Sequence, residues 1–145
     1  MTKGLSKLES LTDTALDSAI GYEKAAEKAE SASLTQTLQE QAGKRRQLVN
    51  DLNAEIVRLG GEARESRTFT GTVHHIWTDL SGLFENGDEA AAERVEEGED
   101  YIAKKFEEAL EHGEFDPQTR TVIERACAEV KEGERLTDRL EALHD

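Results

Sequence analysis

Apolar residues recur every three or four positions along four long stretches of this chain, a period that predicts α-helices rather than strands. One proline among 145 residues leaves these stretches unbroken, and the low aromatic content also favours helix. We expect helices at about residues 6–31, 34–60, 88–112 and 117–143. A helix of about 25 residues is about 38 Å long and has an apolar face that it does not bury alone, so the four must pack as a bundle.

Short sequence signals mark the expected helix ends. Ser6-Lys7-Leu8-Glu9 and Ser33-Leu34-Thr35-Gln36 both fit a capping box, in which the serine accepts from a first-turn amide and the last residue reaches back. Gly60-Gly61 is expected to end the second helix, because glycine readily adopts a left-handed conformation. Asp88 is expected to cap the third helix, and Asp116-Pro117 predicts a cap followed by proline at the first helical position.

The lengths of the connections predict the topology. Short loops after the first and third helices make two antiparallel hairpins, whereas residues 61–87, with a short helix at about 71–84, form a crossover long enough to let the second and third helices run parallel. A shift of 84 residues sets Tyr22 against Phe106 and aligns the apolar positions of the two hairpins. We therefore expect a single all-α domain over residues 1–145.

Charge and composition exclude several classes of partner. Thirty-two acidic residues against 18 basic ones give a net charge of −14, which opposes binding to nucleic acid or to an anionic membrane. No apolar run is long enough to span a bilayer, and the first residues contain no apolar signal core, so we expect a cytoplasmic protein. The lone Cys127 excludes an internal disulfide framework and a cysteine-built zinc site.

Several blocks of sequence resemble the ferritin-like superfamily, and most of all a bacterial family of small four-helix-bundle proteins of unknown function. The blocks are Gly21-Tyr22-Glu23-Lys24-Ala25-Ala26, Arg58-Leu59-Gly60-Gly61, Phe69-Thr70-Gly71-Thr72-Val73-His74-His75-Ile76-Trp77 and Gly98-Glu99-Asp100-Tyr101. The resemblance implies a ferritin-like four-helix bundle, made of two antiparallel hairpins and a long crossover that contains a short extra helix. It attaches no activity to the chain.

Ferritin-like oxidases hold two metals with a Glu on each of two helices and a Glu-x-x-His on each of the other two. The resemblance assigns those ligand positions here to Ala15, Arg45, Leu48, Glu99, Glu129 and Glu132. Three of the six are acidic and none is histidine. The pattern therefore predicts that the di-metal centre has been lost.

Arg45 is the strongest indication that the metal centre is lost, because a guanidinium stays charged and has no lone pair for a metal. We expect a buried charge cluster of Arg45, Glu99 and Glu129 in place of the metals, with no cofactor. In one alternative, the guanidinium of Arg45 reaches solvent while the aliphatic part of its side chain packs on the core. A second retains iron on acidic residues, namely Glu96, Glu99, Glu129 and Glu132.

The remaining candidate residues favour structural interpretations. His75 and Asp79 lie one helical turn apart, but His74 and His75 point about 100° apart on a helix and do not easily chelate one ion. The Glu-x-x-His at Glu141–His144 is close to the C-terminus, where geometry is poorly held. Cys127 is interpreted as a small packing residue, since the sequence shows no base beside it.

These observations favour a non-enzymatic bundle that acts through protein contacts, either with a second copy of itself or with another protein. An apolar strip on the crossover helix, at Ile76, Leu83 and Phe84, is the expected surface for a homodimer. The first alternative is an iron-binding ferritin-like protein. The second is an acidic protein whose surface matters more than any site.

Overall fold

A computed structural model describes residues 4–65 and 87–144, apart from the side chains of residues 88–92, 94 and 134–144. The helices in these ranges are α1 (Leu5–Lys28), α2 (Ala32–Arg58), α3 (Asp88–His112) and α4 (Pro117–His144). The described ranges contain helices and turns and no strand, which confirms the all-α prediction. Most of the predicted crossover, including its short helix at 71–84, lies outside the described residues.

The start of α1 differs from the prediction at Ser6. The helix begins one residue earlier, at Leu5, after Gly4 in a left-handed conformation with φ of 83°, and no side chain caps it. Gly4 packs so closely on Phe115 that a Cβ at this glycine would lie 2.5 Å from the ring. The tertiary contact of Gly4 with the turn before α4 sets this end of the helix, so the capping box predicted at Ser6 is wrong.

The start of α2 does use a serine cap, but two residues before the predicted one. The hydroxyl of Ser31 accepts a 3.3 Å hydrogen bond from the backbone N–H of Leu34, and the helix begins at Ala32. Ser33 therefore lies inside the first turn. Serine at either position offers the same acceptor, which is why the sequence signal placed the cap only to within one turn.

The end of α2 is a Schellman motif, as the glycine pair predicted. Gly60 has a φ of 94°. The backbone N–H of Gly61 donates to the carbonyl of Ile56 at 2.9 Å, and that of Gly60 donates to Val57 at 3.0 Å. These are the two bonds that close this kind of helix end.

The two helices of the second hairpin, α3 and α4, begin with different kinds of cap. Asp116 accepts a 2.8 Å hydrogen bond from the backbone N–H of Thr119, and α4 begins at Pro117, as predicted. At α3 the prediction was one residue off, because Gly87, with a φ of 93°, occupies the cap position and Asp88 is already helical. Glycine adopts a positive φ without steric cost, so Gly87 can occupy the cap position although it has no side chain to bond to the first turn.

The helices pack around one apolar core, with α1 against α2, α3 against α4, α2 against α4 and α1 against α3. The largest fully buried apolar side chains are Leu8, Tyr22, Leu34, Leu38, Leu48, Leu52, Ile56, Ile102, Phe106 and Ile123. Arg58, at the end of α2, bonds to Asp116 at the start of α4, whereas Arg45 lies beside Gly133, late in α4. These contacts make α2 and α4 antiparallel.

None of the described helices is long and apolar enough to cross a membrane.

Candidate functional site

A buried ion pair joins the two hairpins at the level of Arg45 in α2 and Glu99 in α3. The Arg45 side chain is 3% exposed and the Glu99 side chain is fully buried. Nη1 of Arg45 donates to Oε1 of Glu99 at 2.8 Å, and Nη2 donates to Oε2 at 2.6 Å. Two parallel charge-assisted bonds fix both the distance and the plane of the pair.

Helix α1 contributes two further groups around Arg45. The hydroxyl of Ser18 accepts a 2.7 Å bond from Nη1 of Arg45 and donates at 2.6 Å to the carbonyl of Ala15. The ring of Tyr22 has its centroid 5.6 Å from the guanidinium carbon, within range of a cation–π contact. Helices α1 and α3 thus surround the charge of Arg45 with an anion, a hydroxyl and an aromatic face.

The ionisation states follow from burial and from Glu99. Burial opposes the charged form of Arg45, but the charge and hydrogen bonds of Glu99 outweigh it, so the pKa of Arg45 is raised. Burial raises the pKa of Tyr22 well above its ordinary value, and the negative charge of Glu99 raises it further. At neutral pH the guanidinium is therefore cationic and the phenol keeps its proton.

Gly133 lets α4 approach the ion pair. A Cβ at Gly133 would lie 2.5 Å from Oε2 of Glu99, 3.2 Å from Oε1 of Gln41 and 3.3 Å from Nη2 of Arg45. Any side chain there would have to displace the carboxylate. A glycine inside a helix lowers helix stability by about 1 kcal/mol relative to alanine. The close approach of α4 to the ion pair explains why a glycine is nevertheless present here.

The other acidic residues of the expected cluster and of the ligand pattern are not buried with Arg45 and Glu99. Glu129 is exposed, and it acts on Arg45 through its charge, which helps to raise the arginine pKa. Glu132 is exposed too, and Glu96 is half-buried. Of the six ligand positions, Arg45 and Glu99 are the pair whose described side chains hydrogen-bond to each other.

This arrangement does not fit a di-metal centre. Among the described residues, no group of three or more His, Cys, Asp or Glu side chains lies close enough to hold a metal ion. Ala15 and Leu48, both buried, have no side-chain ligand atom. The carboxylate of Glu99 already accepts two bonds from a cation that belongs to the chain.

A groove of about 430 Å³ opens to solvent beside the ion pair, between α2 and α4. We refer to it as the α2–α4 groove, and it is lined by Glu40, Gln41, Lys44, Arg45, Leu48, Glu129, Glu132 and Gly133. Gln41 is 5% exposed and contributes its side-chain amide to this lining. Sequence reasoning missed Gln41 and Ser18, because a polar residue on a helix is ordinarily assigned to the solvent face.

A second polar cluster lies at one end of the bundle, where α2 meets α4. Glu55 accepts a bidentate contact from Arg58, at 2.7 Å from Nε and 2.6 Å from Nη2, and the hydroxyl of Thr119 donates to it at 2.6 Å. Nη2 of Arg58 also lies 3.1 Å from the carboxylate of Asp116. One arginine therefore links the last turn of α2 to the cap of α4.

The carboxylates of this end cluster are held ionised. The hydrogen bond from Arg58 lowers the pKa of Glu55 against the opposing effect of burial. The backbone bond from Thr119 lowers the pKa of Asp116, and Arg58 lowers it further. Both shifts favour the charged, hydrogen-bonded form.

Of the remaining candidates, the structure describes the side chain of Cys127. His74, His75 and Asp79 lie outside the described residues, as does the His144 side chain. Cys127 is a free, buried cysteine, and burial raises the pKa of its thiol, which opposes the reactive thiolate.

Comparison with known families gives a match, over residues 3–112, to the family described as Domain of unknown function (DUF2383). The chain belongs to this family. The DUF2383 match includes Arg45 and Glu99 and ends with α3, so Gly133 lies beyond it. A search of the curated proteins found no match, and a search of the solved structures found none.

Proposed function

We propose that this DUF2383 protein is a ferritin-like bundle in which a salt bridge has replaced a di-metal centre, and that it acts as a non-enzymatic structural or protein-interaction module. The observation that carries the proposal is the bidentate Arg45–Glu99 pair. It supplies inside the protein the positive charge that metal ions would otherwise supply to the carboxylate.

The surroundings of the pair support this interpretation. The charge of Arg45 is balanced by the carboxylate of Glu99. The guanidinium also donates a hydrogen bond to the Ser18 hydroxyl and lies over the ring of Tyr22. A metal ion placed beside Glu99 would face a fixed guanidinium within a few ångströms, and like charges at that distance repel strongly in a buried site. No cofactor is therefore proposed.

The arrangement of the helices supports the ferritin-like part of the proposal. Helices α3 and α4 are joined by a four-residue turn, and α2 is antiparallel to α4, so α2 and α3 run in the same direction. Two consecutive helices that run in the same direction need a connection that runs back along the length of the bundle. We propose that residues 61–87 are that crossover and that residues 1–145 form one domain.

Iron loading under air tests the loss of the metal centre. We expect the wild-type protein to retain far less than stoichiometric iron after desalting and to show no ferroxidase activity. The double variant Glu129→Gln/Glu132→Gln is the control for iron held loosely at exposed carboxylates. Two irons per chain that are lost on Glu99→Gln would overturn the proposal and favour the iron-binding alternative.

The interaction part of the proposal is tested by the mass in solution. We expect light scattering to give a dimer, or affinity capture with a tagged chain to recover a defined stoichiometric partner. Ile76, Leu83 and Phe84, the strip predicted to form a dimer surface, lie outside the described residues. A strict monomer that captures nothing would contradict the interaction role.

A further inference from the structure

We propose that residues 66–86, which lie outside the described residues, cover the outward side of α1 on their way from α2 to α3. This side is formed by Thr14, Asp17 and Gly21, which we call the outer row of α1. The inference rests on the proposed function, because it takes residues 66–86 to be part of a crossover. It is drawn from the burial of the outer row, from the contacts that precede the segment, and from the open grooves on the other side of the bundle.

The outer row of α1 is buried in its middle and exposed at both ends. Its members follow each other at steps of three and four residues, so they lie on one face of the helix. Thr14 is 6% exposed and Asp17 is 4% exposed, and Gly21 is buried as well. Ser10 and Lys24 continue the same row by one step at either end, and both are exposed. A part of the chain therefore covers the middle of this face and leaves its ends in water.

The helices that surround the core do not explain this burial. Asp17 lies nine residues after the fully buried Leu8, which at about 100° per residue places the two on opposite sides of α1. Among the described helices, α1 packs mainly against α2 and α3, and both of these share the apolar core with it. A residue on the side opposite the core is not covered by helices that meet in the core. The cover of Asp17 therefore comes from another part of the chain.

The chain leaves α2 toward the outer row. The backbone N–H of Arg64 donates to Oδ1 of Asn53 at 2.7 Å, and the carbonyl of Arg64 accepts from Nδ2 of Asn53 at 3.1 Å. The guanidinium of Arg64 donates two bonds to the carboxylate of Asp13 in α1, at 2.9 and 2.8 Å. Asp13 precedes Asp17 by one helical turn. The last residues before the segment are thus already fixed on the outside of α1, beside the row that is covered.

The other route for a crossover is uncovered. In this bundle α2 and α3 are diagonal to each other, since α1 and α4 each pack against both of them. A connection from α2 to α3 can therefore run along α1 or along α4. On the α4 side, the α2–α4 groove continues into a second groove of about 400 Å³, which shares Leu48 and Glu129 with it. Both grooves open to solvent, so the route along α1 is the one whose surface is buried.

The length and the composition of the segment suit the route along α1. The segment must span the length of the bundle, which is about 38 Å for a helix of about 25 residues. The predicted helix at 71–84 spans about 21 Å, and the seven other residues add about 23 Å when they are extended. This reach allows a direct path along one helix and little more. The segment also brings large apolar side chains that packing on α1 can bury, at Phe69, Val73, Ile76, Trp77, Leu80, Leu83 and Phe84.

Trp77, the single tryptophan of the chain, lies within the segment and can report where the segment packs. Energy transfer from tryptophan to a dansyl group falls steeply with distance. In a Cys127→Ala background, a dansyl group is attached at Lys24→Cys on α1 and, as the matched control, at Lys44→Cys beside the α2–α4 groove. Both lysines are exposed in the wild type. We expect much more efficient transfer from Trp77 to position 24 than to position 44.

The outcomes separate this inference from the proposed function. More efficient transfer to position 44 would overturn the placement on α1 but leave a crossover in the bundle. Weak transfer to both positions would contradict the crossover itself, and with it the proposed topology. Transfer that falls when the labelled protein is mixed with an excess of the Trp77→Phe variant would place Trp77 on a second copy, which would also overturn the inference.

Thiol protection tests the cover of the outer row directly. In the same Cys127→Ala background, the thiol of Thr14→Cys should react slowly with a thiol reagent and that of Ser10→Cys quickly. Adding Trp77→Gln should speed the reaction at position 14 by about tenfold or more, because loss of a large apolar side chain weakens the packing of the segment. The rate at position 10 should stay within about twofold, since that residue is already exposed. An unchanged rate at position 14, in a variant whose circular dichroism matches the wild type, would show that other residues cover the outer row and would overturn the inference.

Discussion

Two arginine–glutamate pairs in this molecule have nearly the same bond lengths but very different surroundings. Arg45 and Glu99 come from different hairpins, and both are buried. Glu55 and Arg58 lie one turn apart on α2, where the glutamate is buried but the arginine is 38% exposed. The first pair fixes how two halves of the protein meet, whereas the second secures a helix end and a cap.

The comparison shows that bond length alone does not measure the importance of an ion pair. Where water reaches one partner, a lost bond is largely replaced by hydration, and the free energy of unfolding changes little. Where both partners are buried, removal of one leaves a charge without water or counter-charge. The two pairs therefore predict a graded set of mutational effects.

The largest effect is expected at the central pair. Arg45→Leu should lower the free energy of unfolding by about 3–5 kcal/mol, because the Glu99 carboxylate is left buried. The double variant Arg45→Leu/Glu99→Leu should recover most of that loss, since an apolar pair needs no counter-charge. Chemical denaturation at pH 7 measures both. A single variant as stable as the wild type would mean that Arg45 reaches solvent.

The next largest effect is expected at Gly133, which is packed against the central pair. Gly133→Ala should destabilise the protein by about 1–3 kcal/mol, because the new methyl group overlaps Glu99. Gly43, inside α2, has no atom within 4 Å of its Cβ position and is the matched control. Gly43→Ala should stabilise by about 0.5–1 kcal/mol through helix propensity. Melting curves with the same sign for both variants would contradict the close approach.

A smaller effect is expected at the end cluster. Glu55→Gln should cost about 1–2 kcal/mol at pH 7, since it weakens charge-assisted bonds to Arg58 and Thr119. The pKa of Glu55 is lowered in the folded state, so its contribution is present above the unfolded pKa and is lost as the pH falls through the folded value. Below about pH 4 the variant and the wild type should converge in stability. Acid titrations of unfolding check the convergence, and a gap that widens toward low pH would reverse the interpretation.

The smallest effect is expected at the exposed pair of Glu23 and Arg46. Its bonds, 2.7 and 2.8 Å long, are as short as those of the central pair, but its side chains are 42% and 45% exposed. Glu23→Gln should change the free energy of unfolding by less than about 1 kcal/mol. Urea midpoints suffice for this measurement. A loss as large as that of Arg45→Leu would remove the distinction between buried and exposed pairs.

The sequence predicted the helices because their apolar period is local information. The glycine pair at Gly60 and the cap at Asp116 were predictable for the same reason, since each signal acts within one turn. Ser6 failed as a cap because Gly4 packs on Phe115, more than a hundred residues along the chain. A local pattern contains no information about such a contact.

The site was predictable only in part, and for the same reason. The resemblance pointed to Arg45 and Glu99 as residues of interest. It gave no indication of Ser18 or Gln41, because polar residues on helices usually face water. The reason for a glycine at position 133 is visible only when α4 is placed against Glu99.

The central salt bridge also has a consequence for how the chain folds as it is synthesised. Arg45 is synthesised 54 residues before the carboxylate that neutralises it. Until α3 has left the ribosome, the first hairpin lacks the carboxylate that neutralises this guanidinium. Because burying a charge without a counter-charge is unfavourable, we expect the interior to close only when the second hairpin docks.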